Sequence, residues 1–282
     1  MRVGVAFFPT DQSIQPVPLA EALEHHGFES LWLTEHSHIP ASRATPRGGV
    51  EGAPPLPEEY WRTLDQFVSL GAVAARTERL RLGTGVTLVA QRDPIWLAKQ
   101  VATVDLLSGG RFHFGIGYGW NKEEMAHHGV AYGERRALLA EKIGLMKALW
   151  TQDEAAYDGE LLHLEPSWAW PKPVQKPHPP IHMGSAAGPK TFAAMASFCD
   201  GWMPIVARHD VESKLDALGE ALAAEGRDLE DFDLTAFSAP VDPKRWDELE
   251  RLGFDRVLIM LPSAPADVVL PLLDEYAALI DR

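Results

Sequence analysis

Hydrophobic and polar positions along this chain follow two alternating patterns from one end to the other. Short runs rich in β-branched and aromatic residues predict strands near 2–8, 30–35, 79–88, 111–118, 180–185, 201–205, 233–237 and 256–261. Amphipathic segments predict a helix before Gly27 and others near 64–75, 94–107, 136–150, 189–199, 210–225, 243–252 and 266–280. Strands that alternate with helices pair in parallel, and eight such strands fit a closed barrel better than an open sheet. The pattern predicts an α/β fold, a (β/α)8 TIM barrel formed by residues 1–282 as a single domain.

Two insertions interrupt this alternation. Residues 37–60, rich in Pro and Gly, follow the second predicted strand, and the loops after barrel strands open on the face where active sites lie. This segment is a candidate lid. Residues 151–179 precede the fifth barrel strand, and a turn at 157–160 between two short strands is expected there. This second insertion should enter the barrel from its N-terminal side, unless it wraps round to wall the pocket.

The net charge of the chain limits the classes of molecule that it is expected to bind. Asp and Glu outnumber Lys and Arg by 40 to 26, which gives a formal net charge of −14. Nucleic-acid binding draws its affinity from clustered basic residues, and the chain has no such stripe. A nucleic-acid partner is therefore not expected, and an anionic ligand would have to be held by local hydrogen-bond donors.

Hydropathy and cysteine content favour a soluble cytoplasmic protein. Hydrophobic residues make up 46% of the chain, enough for a large buried core, yet no apolar stretch approaches the roughly 18 residues of a membrane span. The N-terminus enters a predicted strand at once rather than a signal segment. The single cysteine, Cys199, cannot form an internal disulfide, which suits a reducing compartment.

Short motifs lie at the junctions between predicted strands and helices. In chain order they are LGTGVT at 82–87, RDP at 92–94, LAKQ at 97–100, DLLSGGR at 105–111, GIGYGW at 115–120, PHPPI at 177–181 and DGW at 200–202. In order and placement they resemble the luciferase-like monooxygenase superfamily over essentially the whole chain. The overall resemblance is closer to the coenzyme F420-dependent branch than to the FMN-dependent members.

This resemblance implies an oxidoreductase with a redox cofactor over the C-terminal mouth of the barrel and hydride transfer to or from a small organic substrate. The cofactor implied is coenzyme F420, with FMN and monooxygenation as the alternative. A non-catalytic flavin-binding protein is a further alternative. A metal-dependent hydrolase is another, because the histidines include His36, His38, His113 and His182. No assembled set of metal ligands follows successive strands, so no metal site is expected.

The second predicted strand ends in Glu35 and His36, where barrel enzymes mount catalytic groups. Histidine suits proton transfer near neutral pH, and F420-dependent relatives have an acidic residue and a histidine that contact the deazaflavin at this junction. Both residues are therefore catalytic candidates. The alternatives are that His36 only hydrogen-bonds the loop and that Glu35 is an internal ion-pair partner.

The third predicted strand supplies the cofactor-binding candidates Thr84, Gly85, Val86 and Thr87. Glycine inside a strand often marks a bulge or a close backbone approach, and several superfamily members place a cis peptide bond here beneath the cofactor ring. A cis bond is therefore predicted between Gly85 and Val86, with a plain trans bulge as the alternative.

The loop after the fourth predicted strand supplies Gly117, Tyr118, Gly119 and Asn121. Glycines allow backbone amides to approach a ligand closely. Asn121 and Glu124 also have the spacing of a helix-capping pair. Capping and cofactor contact are compatible, and both are retained.

The loop after the fifth predicted barrel strand supplies Gly184, Ser185, Ala186 and Ala187, followed by Pro189 at the start of a helix. Small residues at a helix N-terminus expose amides that bind anions. A cofactor phosphate is therefore expected here. The alternative is a structural turn without a ligand.

A homodimer is also predicted, since superfamily members commonly pair through their outer helices and Phe67, Leu70 and Val73 are taken as an exposed apolar face. The substrate itself does not follow from the sequence, because the conformation of residues 37–60 shapes the pocket. Relatives that dehydrogenate sugar phosphates carry a tryptophan just after the position of His36, and its absence here argues against that activity.

Overall fold

A computed structural model describes residues 1–208 and 210–280. Its barrel strands are β1 (Arg2–Phe7), β2 (Ser30–Leu33), β3 (Arg81–Thr84), β4 (Phe112–Ile116), β7 (Ile181–Met183), β8 (Gly201–Trp202), β9 (Asp233–Ala239) and β10 (Arg256–Met260). They close in the order β1, β10, β9, β8, β7, β4, β3, β2, with every neighbouring pair parallel. The remaining strands, β5 (Ala155–Asp158) and β6 (His163–Ser167), form a separate antiparallel pair. The predicted (β/α)8 barrel is confirmed.

The helices are α1 (Pro16–His25), α2 (Gln66–Ala74), α3 (Pro94–Leu107), α4 (Lys122–His127), α5 (Arg135–Thr151), α6 (Pro189–Phe198), α7 (Leu215–Ala224), α8 (Pro243–Arg251) and α9 (Ala266–Ala277). Side chains of Asp65, Asp93 and Asn121 accept backbone N–H groups at the starts of α2, α3 and α4. The helix predicted over 210–225 begins later than expected, after a 3₁₀ turn at Glu212–Lys214. Within the described residues, no helix has the length and apolar character needed to cross a membrane.

The second insertion packs on the N-terminal side of the barrel, as predicted. Its hairpin turn is held by Glu141 of α5, whose carboxylate accepts backbone N–H groups from Glu160 to Leu162. Further along, the Gln175 amide donates to Asp105 and to the carbonyl of Phe112, each at 2.7 Å. Because Phe112 is the first residue of β4, this contact fixes the segment below the barrel.

A buried polar cluster fills the N-terminal end of the barrel interior. Arg256 donates two hydrogen bonds of 2.8 Å to Glu29 and approaches Asp233 at 3.3 Å. Nδ1 of His113 lies 3.0 Å from Nε2 of His182. Burial lowers the pKa of both histidines, because the charged imidazolium is poorly solvated there. The cluster is an interior network remote from the strand ends that face the active-site side.

Trp32 separates this cluster from the upper barrel. Its ring lies 5.7 Å from His113 and 5.5 Å from His182 between ring centroids. A side chain at Gly83 would collide with the ring, since its Cβ would come within 2.3 Å. Glycine at position 83 is therefore what allows Trp32 to occupy the middle of the barrel. Above it the interior is apolar, with Ala6, Met203, Phe237 and Leu258.

The predicted exposed face of α2 is wrong. Phe67, Leu70 and Val73 are buried in the core, because they follow the inward stripe of an amphipathic helix. The exposed apolar residues of this region are instead Val68 on α2 and Trp96 on α3, which are 74% and 71% exposed.

Candidate active site

His36 and Glu124 form a hydrogen-bonded pair at the C-terminal end of the barrel. His36 follows β2, Glu124 lies in the first turn of α4, and Nδ1 of the imidazole is 2.8 Å from Oε2 of the carboxylate. Glu124 is fully buried and His36 is 8% exposed. The other carboxylate oxygen accepts the Ser37 backbone N–H at 3.2 Å. A carboxylate accepts at Nδ1, so the neutral ring keeps its hydrogen there and leaves Nε2 as the basic nitrogen.

Asn121 explains how Glu124 is placed. Its side chain caps α4 by accepting the Glu124 backbone N–H at 3.4 Å, which is half of the predicted capping pair. The Glu124 side chain does not complete a capping box, because its carboxylate turns to His36 and Ser37. Asn121 is fully buried, and its Nδ2 has no hydrogen-bond partner in the described part of the chain.

Two aromatic side chains enclose His36. Its ring lies 5.2 Å from Tyr60 and 5.6 Å from Trp120, measured between centroids. Tyr60 belongs to the segment 37–60, whereas Trp120 follows β4. The segment therefore folds over the barrel mouth, where the sequence places a candidate lid, and it brings Arg43 and Arg47 with it.

Glu35 points away from His36 and forms the internal ion pair considered as the alternative. Nε of Arg92 lies 2.7 Å from its carboxylate, and Arg92 also reaches Asp65 at 3.3 Å. Burial raises the pKa of Glu35, and the Arg92 guanidinium only partly offsets this effect. A catalytic role for Glu35 stays a prediction, and the structure does not bring its carboxylate to His36.

Further histidines lie beside this pair toward the surface. The Ser37 hydroxyl is 2.7 Å from Nε2 of His128 and 2.9 Å from Nδ1 of His38, which in turn approaches Nδ1 of His127 at 2.8 Å. Burial lowers the pKa of His128. Among the residues that the structure describes, no group of three His, Cys, Asp or Glu side chains is arranged to hold a metal ion.

The loop after β3 provides an apolar floor for the mouth. The Gly85–Val86 peptide bond is cis, as predicted. The Val86 side chain occupies the space into which a Cβ at Gly117 or Gly184 would project, at 2.5 and 2.4 Å respectively. The position of Val86 therefore requires glycine at both sites, whether or not a ligand also approaches them. Phe237 lies beside Gly85 and completes the floor.

The hydroxyl groups of Thr84 and Thr87 are used inside the protein. Thr84 is fully buried and donates to the carbonyl of Gly115 at 2.7 Å, and Thr87 is fully buried against the side-chain carbonyl of Gln66. Their predicted cofactor contacts stay predictions. In this arrangement both residues fix the loop from beneath.

The loop after β7 places Gly184, Ser185, Ala186 and Ala187 next to the loop after β4, because Gly184 donates to the carbonyl of Ile116 at 2.8 Å. Ser185 is held through its backbone carbonyl, which accepts from Trp202 at 3.0 Å. Its hydroxyl oxygen is buried and has no partner among the described residues.

Arg136 lies close to this loop. Its guanidinium stacks 4.2 Å from the Tyr118 ring centroid and donates to the Thr191 hydroxyl at 3.1 Å, in the first turn of α6. Burial raises the pKa of Tyr118. The candidates after β3, β4 and β7 are thus brought together, since these three strands are neighbours in the barrel.

A family model described as luciferase-like monooxygenase matches residues 15–252. The chain belongs to the luciferase-like monooxygenase family. It is 43% identical over 282 residues to an uncharacterised protein of Mycobacterium tuberculosis, covering 99% of this chain and 98% of that protein. It is 28% identical over 270 residues to an F420-dependent glucose-6-phosphate dehydrogenase of Nakamurella multipartita, covering 90% and 71%. The predicted superfamily is confirmed, and so is the oxidoreductase class.

The fold of this luciferase-like protein matches a solved F420-dependent secondary alcohol dehydrogenase in complex with an F420-acetone adduct. The TM-score is 0.77 with 15% sequence identity, and the match covers 100% of this chain and 99% of that one. At this identity the likeness concerns the fold alone. It agrees with the closed barrel described above.

Sequence reasoning missed Tyr60, Trp120 and the pairing role of Glu124. The sequence does mark two of these positions, because Trp120 ends the GIGYGW motif and Glu124 has the spacing of a capping residue. Neither pattern predicts their contacts with His36. Tyr60 had no such signal, since it reaches His36 only through the conformation of the segment 37–60. Arg136 also lacked one, because it lies on the exposed first turn of α5.

Proposed function

We propose that this luciferase-like protein is a coenzyme F420-dependent oxidoreductase that transfers hydride between the deazaflavin and a small organic substrate. The observation that carries the proposal is the His36–Glu124 pair, 2.8 Å apart, beside the apolar floor of Val86 and Phe237. A proton-handling group next to an apolar platform is what hydride transfer to a carbonyl or from an alcohol requires. The dehydrogenase relative named for F420 dependence supports the choice of cofactor.

The residues at the mouth fit such a cofactor. Val86 and Phe237 offer an apolar surface for a planar ring. The Ser185 hydroxyl and the Asn121 amide nitrogen have no partner among the described residues, so they can hydrogen-bond a polar ligand. Gly184, Ala186 and Ala187, with the amides that open α6, would hold its phosphate. When bound, F420 supplies hydride chemistry and reacts poorly with oxygen.

The protein contributes proton transfer and exclusion of water. Glu124 holds the His36 ring through Nδ1, which leaves Nε2 to take a proton from an alcohol or, when charged, to give one to a carbonyl. Tyr60 and Trp120 pack around the ring and limit its contact with bulk water. Loss of these contacts would weaken both the orientation and the desolvation of His36.

Titration of the purified protein with F420 and with FMN tests the proposal. We expect F420 to bind with a dissociation constant at least tenfold lower than that of FMN, measured by fluorescence and by calorimetry. Preferential FMN binding, with oxygen consumption on reduction, would instead favour a monooxygenase. Absence of binding by both cofactors would leave a non-catalytic role.

We also propose that the protein is a homodimer, paired through α2, α3 and the second insertion. Large apolar side chains are exposed on this side of the barrel, at Val68, Ile95, Trp96, Trp168 and Trp170. Exposed apolar surface of this kind is typical of interfaces. Light scattering should give twice the chain mass, and Trp96→Lys should shift the equilibrium toward monomer without loss of helical signal.

A cytoplasmic location is proposed on the chemistry of Cys199. Its thiol is free and fully buried, and burial raises its pKa, so it is suited to a compartment where thiols stay reduced. Fractionation of cells that express the native protein would test this assignment.

A further inference from the structure

We infer that the organic substrate carries an anionic group, a carboxylate or a phosphate ester, and that Arg43 and Arg47 bind this group over the barrel mouth. The assignment rests on the proposed function, because it names the substrate class of that same site. Two features of these arginines support it: their position next to His36 and their unused hydrogen-bonding capacity.

Both guanidinium groups stack on the aromatic rings that enclose His36. The Arg43 guanidinium lies 5.6 Å from the Trp120 ring centroid, and the Arg47 guanidinium lies 5.4 Å from that of Tyr60. Those rings are in turn 5.6 and 5.2 Å from the His36 ring. Each arginine is therefore separated from His36 by one aromatic side chain, which suits a substrate whose reacting carbon and anionic group lie a short distance apart.

Neither arginine pairs with a carboxylate in the described part of the chain, and both lie beside the rings that enclose His36. Other arginines do form such pairs: Arg2, Arg62, Arg76, Arg81, Arg92, Arg245 and Arg256. Arg43 donates to the backbone carbonyl of Thr45. Nε of Arg47 is buried without a partner among the described residues. A buried donor without an acceptor is costly, and an anionic ligand would satisfy it.

Two carboxylates in the first turn of α4, those of Glu123 and Glu124, accept hydrogen bonds from groups other than the two guanidinium groups. Oε1 of Glu123 accepts the backbone N–H groups of Ala44 and Thr45 at 3.0 and 3.1 Å, whereas its Oε2 is buried without a partner among the described residues. Hydrogen bonding by the Thr45 side chain, and by the backbone of Ala44 and Thr45, lowers the pKa of Glu123 to about 2. Glu124 is occupied by His36 and Ser37. Glu123 thus anchors the arginine-bearing segment to the first turn of α4 through its backbone, and neither guanidinium group forms an ion pair with it in the described part of the chain.

A third guanidinium lies near the tip of the segment. Nη1 of Arg208 is 3.4 Å from the point where a Cβ of Gly48 would lie. Gly48 and Gly49 both have positive φ angles, of 64° and 71°, so glycine favours the turn that brings the segment across the mouth. The arginines that would bind the anionic group therefore come from two places, the segment 37–60 and the loop after β8.

The chemistry of arginine favours a carboxylate or a phosphate as the ligand. A guanidinium stacked on a ring keeps its planar edge of N–H donors free for two parallel hydrogen bonds. The candidate loop for the cofactor phosphate lies after β7, on the far side of β4 from His36. The arginines lie over the two rings that enclose the proton-handling His36, so we assign them to the substrate rather than to the cofactor.

The test uses matched probes and calorimetry on the protein without added cofactor. Benzoate and phenyl phosphate are the anionic probes, and benzamide is the neutral control. At least one anion should bind roughly tenfold or more tightly than benzamide. Arg43→Gln and Arg47→Gln should each weaken that anion by about tenfold, and the double variant by about a hundredfold. Arg251→Gln, at the end of α8, should leave binding unchanged.

Titration of the same variants with F420 shows whether the arginines bind the anionic group of the substrate or the phosphate of the cofactor. We expect F420 affinity to change by less than threefold in the double variant. A selective loss of F420 affinity would assign the arginines to the cofactor and overturn the inference, as would equal binding of anions and benzamide by the parent. If the parent binds neither F420 nor FMN but retains arginine-dependent anion binding, the proposed redox function fails while the anion site stands.

Discussion

Oε2 of Glu124 lies 2.8 Å from Nδ1 of His36, although 88 positions separate the two residues in the chain. This contact gives the first prediction. Glu124→Gln keeps a hydrogen-bonding side chain of similar shape, but its amide can donate as well as accept, so the hydrogen is no longer fixed at Nδ1 of His36. We expect kcat to fall by about 10²-fold while KM changes little. Glu134→Gln, at the start of α5, is the control, and an unchanged kcat in Glu124→Gln would remove the assigned role.

His36→Ala should abolish proton transfer without unfolding the barrel. The side chain lies at the mouth rather than in the apolar core, so the variant should fold, but the urea midpoint should fall because the buried Glu124 carboxylate loses its hydrogen bond to His36. Turnover should fall by roughly 10²-fold or more if Nε2 transfers a proton. Rapid-mixing assays at saturating cofactor and substrate measure this loss, and full turnover in the variant would exclude His36 as the acid or base.

Ser185 provides a test of the cofactor phosphate site. Its hydroxyl is buried without a partner in the described residues, next to the amides that open α6. Ser185→Asp should reduce cofactor affinity by roughly 10²-fold, because a carboxylate would face the phosphate at short range. Ser185→Ala should cost only about 1 kcal/mol, since one neutral donor is lost.

The control for these variants is circular dichroism, which reports whether the fold survives. Equal cofactor affinity in Ser185→Asp and the parent would place the phosphate elsewhere. The loop after β10 is then the next candidate, although the hydroxyl of Ser263 there already donates to the carbonyl of Phe8 at 2.9 Å.

Stability should fall as the pH is lowered below about 6.5. His113 and His182 are buried, and their pKa values lie below the ordinary value of 6.5, so the unfolded chain takes up protons that the folded chain does not. The stabilisation is therefore complete above pH 6.5 and is lost as the pH falls toward the folded pKa values.

Urea unfolding at pH 7.5, 6.5 and 5.5 measures this loss. We expect the free energy of unfolding to fall by on the order of 1 kcal/mol per histidine for each pH unit below 6.5. His182→Gln should reduce that slope, and the exposed variant His25→Gln should leave it unchanged. A slope that is the same in His182→Gln and the parent would mean that other groups govern the acid sensitivity.

The barrel could be predicted because its pattern is local. Strand runs such as that ending at Leu33 and amphipathic helices such as α3 each carry their own periodicity. The same periodicity also shows why the exposed face predicted for α2 is wrong. Phe67, Leu70 and Val73 are spaced as one helical face, and in a barrel the apolar face of a helix packs inward. A homodimer would have to form through a different face of α2, the one on which the exposed Val68 lies.

The site was predictable only where a strand end fixes it. His36 could be placed at the mouth because it follows β2 directly, whereas the turn of the adjacent Glu35 toward Arg92 depends on backbone beyond the strand end. The contacts of Tyr60, Arg43 and Arg47 could not be predicted. They depend on the path of a long irregular segment, which has no periodicity to read.

Trp32 gives the barrel two chemically independent ends. Its ring fills the middle of the barrel, which is possible because Gly83 lacks a side chain. The ring separates the histidines below it from the apolar floor that Phe237 helps to form above it. The lower compartment could therefore be re-engineered for tolerance of acid while the upper one kept its catalytic properties.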